Sequence, residues 1–319
     1  LFFRLHCYVK NLMDYVLLGE QFFNGFQLGI ILFMMAAGLT LVFGIMDLVN
    51  LAHGTLYMFG AFFAAQMSIW TGSFTWAILL ALPLSLIAGI ILEVTVLRTL
   101  YTRDHLDQVL ATFGLILFFN ELFLLVFGAA GMALPLPEVL SGQVEFLGGI
   151  VVPVYRLFMI LMGLLLALIL YILVSKTRMG MLVRAGASNR EMVGALGINI
   201  KLLYTGVFGL GAAMAGFAGM IQVPITQAQS GMGEDVLILA FVVIVIGGIG
   251  SIRGAFVAAI IIGIIDTMGR SFMDVALLQF LPTNAAEDAG PAISSMLIYL
   301  IMAVVLAFRP QGLFPPRGV

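Results

Sequence analysis

Repeated apolar stretches of about 20 residues are the feature that most constrains how this chain can fold. Of its 319 residues, 62% are hydrophobic and 9% are charged, whereas about a quarter of the residues of a soluble domain are charged. Stretches of this length suit membrane-spanning helices, because the strands of a membrane barrel are shorter and alternate apolar with polar residues. We therefore expect an all-α polytopic membrane protein.

The apolar sequence divides into about eight to ten hydrophobic segments. Spans are predicted at 22–43, 56–70, 74–96, 109–127, 155–174, 202–223 and 291–308, with short apolar pieces at 236–246 and 255–268. Short pieces flanked by glycine indicate broken or re-entrant helices. We expect loops at 128–152 and 271–290. Residues 22–308 are predicted to form one transmembrane domain, between an N-terminal segment at 1–21 that is not typical of a signal peptide and a tail at 309–319.

Basic residues are concentrated in loops that we predict to share one side of the membrane. These loops and the C-terminus carry Arg98, Arg103, Lys176, Arg178, Arg184, Arg190, Lys201, Arg253, Arg309 and Arg317. The opposite loops carry Arg156 and Arg270 and seven acidic residues, Glu138, Glu145, Glu234, Asp235, Asp274, Glu287 and Asp288. Because cytoplasmic loops are enriched in Lys and Arg, the C-terminus is predicted to be cytoplasmic. The side of the N-terminus depends on the number of spans and stays open.

The most basic loop, 175–201, has five cations and a single acid, Glu191. Within it, Ser188 is predicted to cap a short helix and Gly197 to end it. The apolar positions of this helix fall near helical spacing: Met192, Val193, Leu196 and Ile198. Such a helix is either part of a solvated loop or a docking element for a soluble partner that covers its apolar face.

Two further stretches interrupt the apolar sequence at glycines, 44–54 and 247–254. Glycine lets the backbone bend or approach another helix closely, so that freed amides and carbonyls can face a pathway. The candidate pathway or hinge residues are Gly44, Asn50, His53, Gly54, Gly247, Gly248, Gly250 and Ser251. Asp47, Asn50 and His53 are a weak pattern for a proton relay or a metal site, and the favoured interpretation is that they cap helices at the membrane interface.

Three other acids lie in or near predicted spans. Glu93 is expected to pair with Arg98, Glu121 to face other helices, and Asp266 to lie near the outer interface. The sequence has no P-loop, no nucleotide fingerprint and no nucleophile–base motif, and Cys7 is its only cysteine. We therefore predict no catalytic residues, no metal ligands and no cofactor bound by this chain.

Three sequence blocks, in order, resemble the permeases of branched-chain amino-acid ABC importers. Residues 38–60, GLTLVFGIMDLVNLAHGTLYMFG, resemble the family's first signature, 177–199 resemble its cytoplasmic coupling loop, and 245–255, VIGGIGSIRGA, its glycine block. The resemblance spans about residues 22–315 and is strongest to the shorter of the two permease subunits. Arg253 stands where the family often has proline, and residues 1–10 have no counterpart.

This resemblance implies four kinds of partner in a bacterial or archaeal cytoplasmic membrane. They are a second homologous permease subunit, two cytoplasmic ATPase subunits that use the ATP, an extracytoplasmic solute-binding protein and the lipid bilayer; no nucleic acid is expected. The helix around 188–196 would insert into a cleft on an ATPase. The implied coupling residues are Arg184, Ser188, Asn189, Arg190, Met192, Leu196 and Gly197.

The implied function is that of a permease subunit of an ATP-driven importer of branched-chain or other amino acids. Systems for urea or short-chain amides in the same family are an alternative. An ion-coupled secondary transporter is another, but it would need a coupling-ion site, for which only Glu121 and Asp266 are available.

Overall fold

The computed structural model describes residues 2–146 and 149–314, which fold predominantly into α-helices. The helices are α1 (Phe2–Met46), α2 (His53–Thr71), α3 (Phe74–Leu92), α4 (Arg98–Leu100), α5 (His105–Phe127), α6 (Val154–Lys176), α7 (Arg178–Ser188), α8 (Arg190–Ala195), α9 (Ile200–Thr226), α10 (Met232–Gly247), α11 (Ile252–Leu277) and α12 (Thr283–Phe308). A π-helical turn, Glu93–Leu97, joins α3 to α4. The final part of the predicted tail, 315–319 with Arg317, lies outside the described residues, as does Leu1.

Seven helical stretches of the described chain are long and apolar enough to cross a membrane. They are Tyr15–Met46, Phe74–Leu100, His105–Phe127, Val154–Lys176, Ile200–Thr226, Ile252–Leu277 and Thr283–Phe308. Two more apolar helices, α2 with 19 residues and α10 with 16, bring the number in the described residues to nine. The protein is thus an all-α polytopic membrane protein, as the composition predicted.

The region after residue 250 is more helical than the sequence predicted. The apolar piece predicted at 255–268 belongs to a complete 26-residue helix, α11, and much of the loop predicted at 271–290 is helical. Where the predicted apolar piece ends, Arg270 Nε lies 2.9 Å from Asp266 Oδ1, one turn earlier on the same helix. These charges interrupt the apolar pattern but not the helix.

The loop predicted at 128–152 contains a small β-hairpin. Strands β1 (Gln143–Phe146) and β2 (Ile150–Pro153) pair antiparallel, with Val144 opposite Val152. Farther back in the same loop, Met132 forms an isolated bridge with Ala228, which follows α9. The loop is therefore attached to the helix bundle at its start and ordered near its end.

Helices α1 and α9 form the centre of the bundle. In its most apolar window α1 is 83% buried and α9 is 78% buried, whereas α12 is 11% buried. Helix α1 packs chiefly against α11 and α9, and α2 packs against α9 and α3. Since α5, α6 and α12 expose many large apolar side chains, these outer helices have the surfaces available to lipid or to another membrane subunit.

Candidate functional site

The first glycine-containing break separates α1 from α2 by a short non-helical segment. Helix α1 ends at Met46, and Asp47 has a φ of +51°, a left-handed conformation that is uncommon for a residue other than glycine. Two side chains of α5 satisfy amides of this segment: Gln108 Oε1 accepts from Val49 N at 3.0 Å, and Thr112 Oγ1 accepts from Leu51 N at 3.2 Å. The break is therefore held against α5 inside the bundle.

Asn50 and His53 do not cap helices at the membrane interface, so that prediction was wrong. Both are fully buried, and their side-chain nitrogen and oxygen atoms have no hydrogen-bond partner in the structure. The N-cap position of α2 is Ala52, which provides no side-chain cap. The physical reason is that the chain turns back into the bundle after Met46. Asp47, by contrast, is exposed.

The second glycine-containing break joins α10 to α11. Gly248 and Gly250 have φ values of +103° and +83°, which only glycine adopts at little cost. Ser251 is the N-cap of α11, and its hydroxyl accepts a hydrogen bond from Gly254 N at 3.1 Å. Gly247 packs against Gly254, so that both helix ends approach backbone to backbone.

The C-terminal segment completes this hinge, a feature that the sequence did not indicate. Leu313 N donates to Ile246 O at 2.8 Å, and Phe314 N donates to Gly247 O at 3.1 Å. The segment after α12 thus satisfies carbonyls at the end of α10, which lack partners within their own helix.

The two breaks lie side by side in the folded chain. A Cβ atom built on Gly44 would lie 3.0 Å from the Cα of Gly250. At the other end of the first break, a Cβ on Gly54 would lie 2.6 Å from the carbonyl oxygen of Gly233, in the first turn of α10. The structure therefore brings together predicted residues of both breaks and adds Gly233, which the sequence reasoning missed.

The basic loop contains two short helices where the sequence predicted one. Thr177 caps α7 by accepting from Gly180 N at 3.2 Å, and Asn189 caps α8 by accepting from Met192 N at 2.9 Å. Ser188 is the last residue of α7, so its prediction as the cap was wrong by one position. Ser and Asn are both favourable N-cap residues. Because α7 extends through Ser188, the next residue, Asn189, becomes the cap of α8.

Gly197 ends the second of these helices, as predicted. It has a φ of +84°, its N–H donates to Gly194 O at 3.0 Å, and Ile198 N donates to Val193 O at 3.4 Å. This pair of bonds is the Schellman arrangement, which satisfies carbonyls at a helix end. Gly197 thus has a conformational role that other residues would fill only with strain.

Apolar side chains of α7 and α8 face in two directions. Val183 and Val193 are buried against the bundle, whereas Met192 is 59% exposed and Leu196 is 73% exposed. Arg184 is also exposed, and its guanidinium donates to the carbonyl of Val174 at the end of α6. The loop thus presents an apolar and basic surface that the described part of the chain does not cover.

Comparison with known proteins agrees with these features. Residues 21–306 match the family of branched-chain amino acid transport system permease components. The chain is 27% identical to the high-affinity branched-chain amino acid transport system permease protein BraD of Pseudomonas aeruginosa, over 92% of this chain and 94% of that protein. It is 28% identical to the corresponding permease protein LivH of Escherichia coli K12, over 92% of this chain and 96% of LivH.

A second permease protein of the same Escherichia coli strain, LivM, is 26% identical over 90% of this chain but over 68% of its own length. No solved structure matches the chain. The resemblance drawn from the three sequence blocks is confirmed, since the match extends through all of them. The chain belongs to the family of branched-chain amino acid transport system permease components.

Proposed function

We propose that this chain is a transmembrane permease subunit of an ATP-driven, binding-protein-dependent importer of branched-chain or other amino acids. The observation that carries this proposal is the family match along residues 21–306. Coverage supports the shorter type of permease subunit, because the chain spans 96% of LivH but 68% of LivM. The same proposal makes it a transport subunit without catalytic residues of its own.

The proposed assembly contains a second homologous permease, two ATPase subunits and an extracytoplasmic solute-binding protein. A pair of permeases is supported by the similarity of this chain to both LivH and LivM of one strain. Exposed apolar side chains on α5, α6 and α12 provide surfaces for such a partner and for lipid. We place the assembly in the cytoplasmic membrane, with the basic loop and the C-terminus on the cytoplasmic side.

In this proposal, α7 and α8 dock on an ATPase subunit and transmit its movement to the spans. The uncovered surface with Met192, Leu196 and Arg184 supports the docking. The position of Gly186 on α7 supports a path by which movement of the ATPase reaches the membrane spans. A Cβ built there would lie 3.3 Å from Leu203 at the start of α9 and 3.9 Å from Ile45 at the end of α1. The loop therefore abuts the helix end from which the first break begins.

An ion-coupled transporter is less well supported. Asp266 is paired with Arg270, and Glu121 is exposed on the surface of the described chain. A coupling acid is expected to face a protein-lined site where its proton or ion can exchange. A urea or short-chain amide importer would share the same architecture and differ in substrate.

Purification of the tagged chain from native membranes in mild detergent tests the proposal, with mass spectrometry of the proteins that accompany it. We expect two nucleotide-binding subunits and a second permease. The genomically linked binding protein, purified and titrated with amino acids, urea and amides, would then give the substrate. Recovery of this chain alone, in an assembly that transports under an ion gradient, would contradict the ATP-driven function.

A further inference from the structure

A small pocket lies where the amino ends of α2 and α10 meet the middle of α5. Its lining residues come from all three helices: Gly54 and Thr55, Ile116 and Asn120, and Gly233 and Glu234. Neither α2 nor α10 has a side-chain cap at its amino end. Backbone carbonyls satisfy part of each first turn, since Thr55 N donates to Ala52 O and Glu234 N to Gly231 O. The positive end of each helix dipole nevertheless faces this region.

Two side chains make this pocket unusual for a membrane interior. Thr55 is 4% exposed, and its hydroxyl has no hydrogen-bond partner in the structure, although a buried hydroxyl without a partner is costly. Glu234 accepts a hydrogen bond from Asn120 Nδ2 at 2.5 Å, and Ser230 Oγ donates to the carbonyl of Asn120 at 2.7 Å. A donor and a carboxylate thus line the same space.

The pocket lies along the length of α5, at Ile116 and Asn120, and not at either end of that helix. Asn120 is fifteen residues beyond His105, the first residue of α5, which places it about 22 Å along the helix at 1.5 Å per residue. The hydrocarbon core of a bilayer is about 30 Å thick. Glu234 is exposed on the described chain. Because a carboxylate is unfavourable in contact with lipid, we expect its exposed side to face a partner subunit or water.

A second polar pocket lies at the other end of the first break. It is lined by residues that include Asp47, Arg103, His105 and Gln108. A slanted face of α5 connects the two pockets. It is formed by Gln108, Thr112, Ile116 and Asn120, which follow one another at intervals of four residues and wind about a third of the way around the helix. The break segment lies along this face, held by the two bonds from Gln108 and Thr112 to its amides.

We propose that an amino-acid zwitterion crosses the protein along this face of α5, and that the Thr55–Asn120–Glu234 pocket binds it at the outer end of the route. This inference rests on the proposed importer function and identifies its substrate-binding residues. The carboxylate of Glu234 receives the α-ammonium group, and the uncapped amino end of α2 with the Thr55 hydroxyl receives the α-carboxylate. The largely buried segment 48–53 closes the route toward the second pocket.

The present conformation is the closed one. The pocket has a volume of about 10 Å³, which is room for about one water molecule. Widening it requires α2 and α10 to separate where Gly54 touches Gly233. That contact involves two backbones without side chains, so the helices can part there without disrupting interlocked side chains.

Cysteine accessibility in the assembled importer tests whether Thr55 lines the route. Cys7 is the only native cysteine of the chain, so Thr55→Cys is made in a Cys7→Ser background and treated with a membrane-impermeant methanethiosulfonate cation. Thr40→Cys is the matched control, because Thr40 is 2% exposed, also lacks a hydrogen-bond partner and lines neither pocket. We expect Thr55→Cys to be modified at a rate that changes with nucleotide, and Thr40→Cys to stay unmodified.

Substitution of Glu234 tests the ammonium site independently. Glu234→Gln keeps an oxygen that can accept the Asn120 bond but removes the charge, whereas Asp235→Asn removes a charge in the same helical turn outside the pocket. A hydrogen bond to a charged group contributes about 1.5–3 kcal/mol, so Glu234→Gln should lower import at limiting substrate about tenfold or more. Asp235→Asn should import normally, with equal amounts of both variants assembled.

The outcomes separate the two proposals. A wild-type complex that imports no amino acid would overturn the proposed function. In a complex that does import, an unmodified Thr55→Cys in every nucleotide state, or a Glu234→Gln variant as active as Asp235→Asn, would overturn the route while leaving the importer function intact.

Discussion

Glu93 and Arg98 form a two-point ion pair across five residues of one helix. Arg98 Nε lies 3.1 Å from Glu93 Oε1, and Arg98 Nη2 lies 3.0 Å from Oε2. The π-helical turn Glu93–Leu97 explains the spacing, since its wider turn places residues five apart on one face. The pairing expected from the sequence is confirmed, and the carboxylate is fully buried.

Two other side chains complete the surroundings of this carboxylate. Tyr101 donates to Glu93 Oε1 at 2.6 Å, and the Thr205 hydroxyl of α9 lies 2.8 Å from Oε2. Burial, together with the bond to Glu93, raises the pKa of Tyr101 above its ordinary value of 10. Tyr101 therefore stays protonated, and a donor, throughout the physiological pH range. The cluster ties the end of α3 to α9.

Glu93→Gln should destabilise the protein, because it removes the charge from a buried acceptor whose hydrogen bonds each contribute about 1.5–3 kcal/mol. We expect a melting temperature in detergent several degrees lower than that of the wild type. Glu121→Gln is the control, since Glu121 is exposed on α5. Equal melting temperatures for the two variants would show that the cluster adds no stability.

Gly197→Pro should abolish transport while leaving membrane insertion intact. Proline fixes φ near −65° and lacks the N–H, whereas Gly197 has a φ of +84° and donates to Gly194 O. Gly194→Ala is the control, because Gly194 is helical and a Cβ there would make only an ordinary contact, 3.7 Å from Ile200. Transport assays with quantified membrane levels check this, and a fully active Gly197→Pro would contradict the coupling role of α8.

Reversal of two charges in the same loop should weaken the association with the ATPase. The variant is Arg184→Glu combined with Arg190→Glu, which turns two of the five cations of the loop into anions. The control replaces both residues by Lys and keeps the charge. We expect the amount of ATPase that co-purifies to fall for the Glu variant alone. If the amount of co-purified ATPase is unchanged, these arginines do not contribute to the docking of the ATPase.

Gly60→Ala should disrupt the packing of α2 on α9. A Cβ on Gly60 would overlap the backbone of Gly216, and overpacking of this kind costs about 1–3 kcal/mol. Gly114→Ala on α5 is the matched control, because nothing lies within 4 Å of a Cβ built there, so it should be neutral or stabilising by up to about 1 kcal/mol. Melting temperatures in detergent measure both, and equal stability would show that the contact between α2 and α9 accommodates a methyl group.

Several local features could be predicted from the sequence because neighbouring residues decide them. The Glu93–Arg98 pair and the helix stop at Gly197 involve residues within one or two turns. The loop at 271–290 was predicted wrongly because its polar residues were taken to end the apolar spans, whereas α11 continues to Leu277 and α12 begins at Thr283. Local patterns show apolar spans well, but they miss helical turns of polar sequence that extend beyond those spans.

The sequence alone determined that this is a multi-span helical membrane protein of the permease family. Hydropathy and family motifs are both properties of contiguous residues, so they can be read without the tertiary structure. Only the tertiary structure decided which glycines meet. Gly54 and Gly233 are far apart in the chain, as are Gly44 and Gly250, yet each pair is in contact. Such contacts depend on the rotation and depth of every helix in the bundle, and a one-dimensional pattern contains neither quantity.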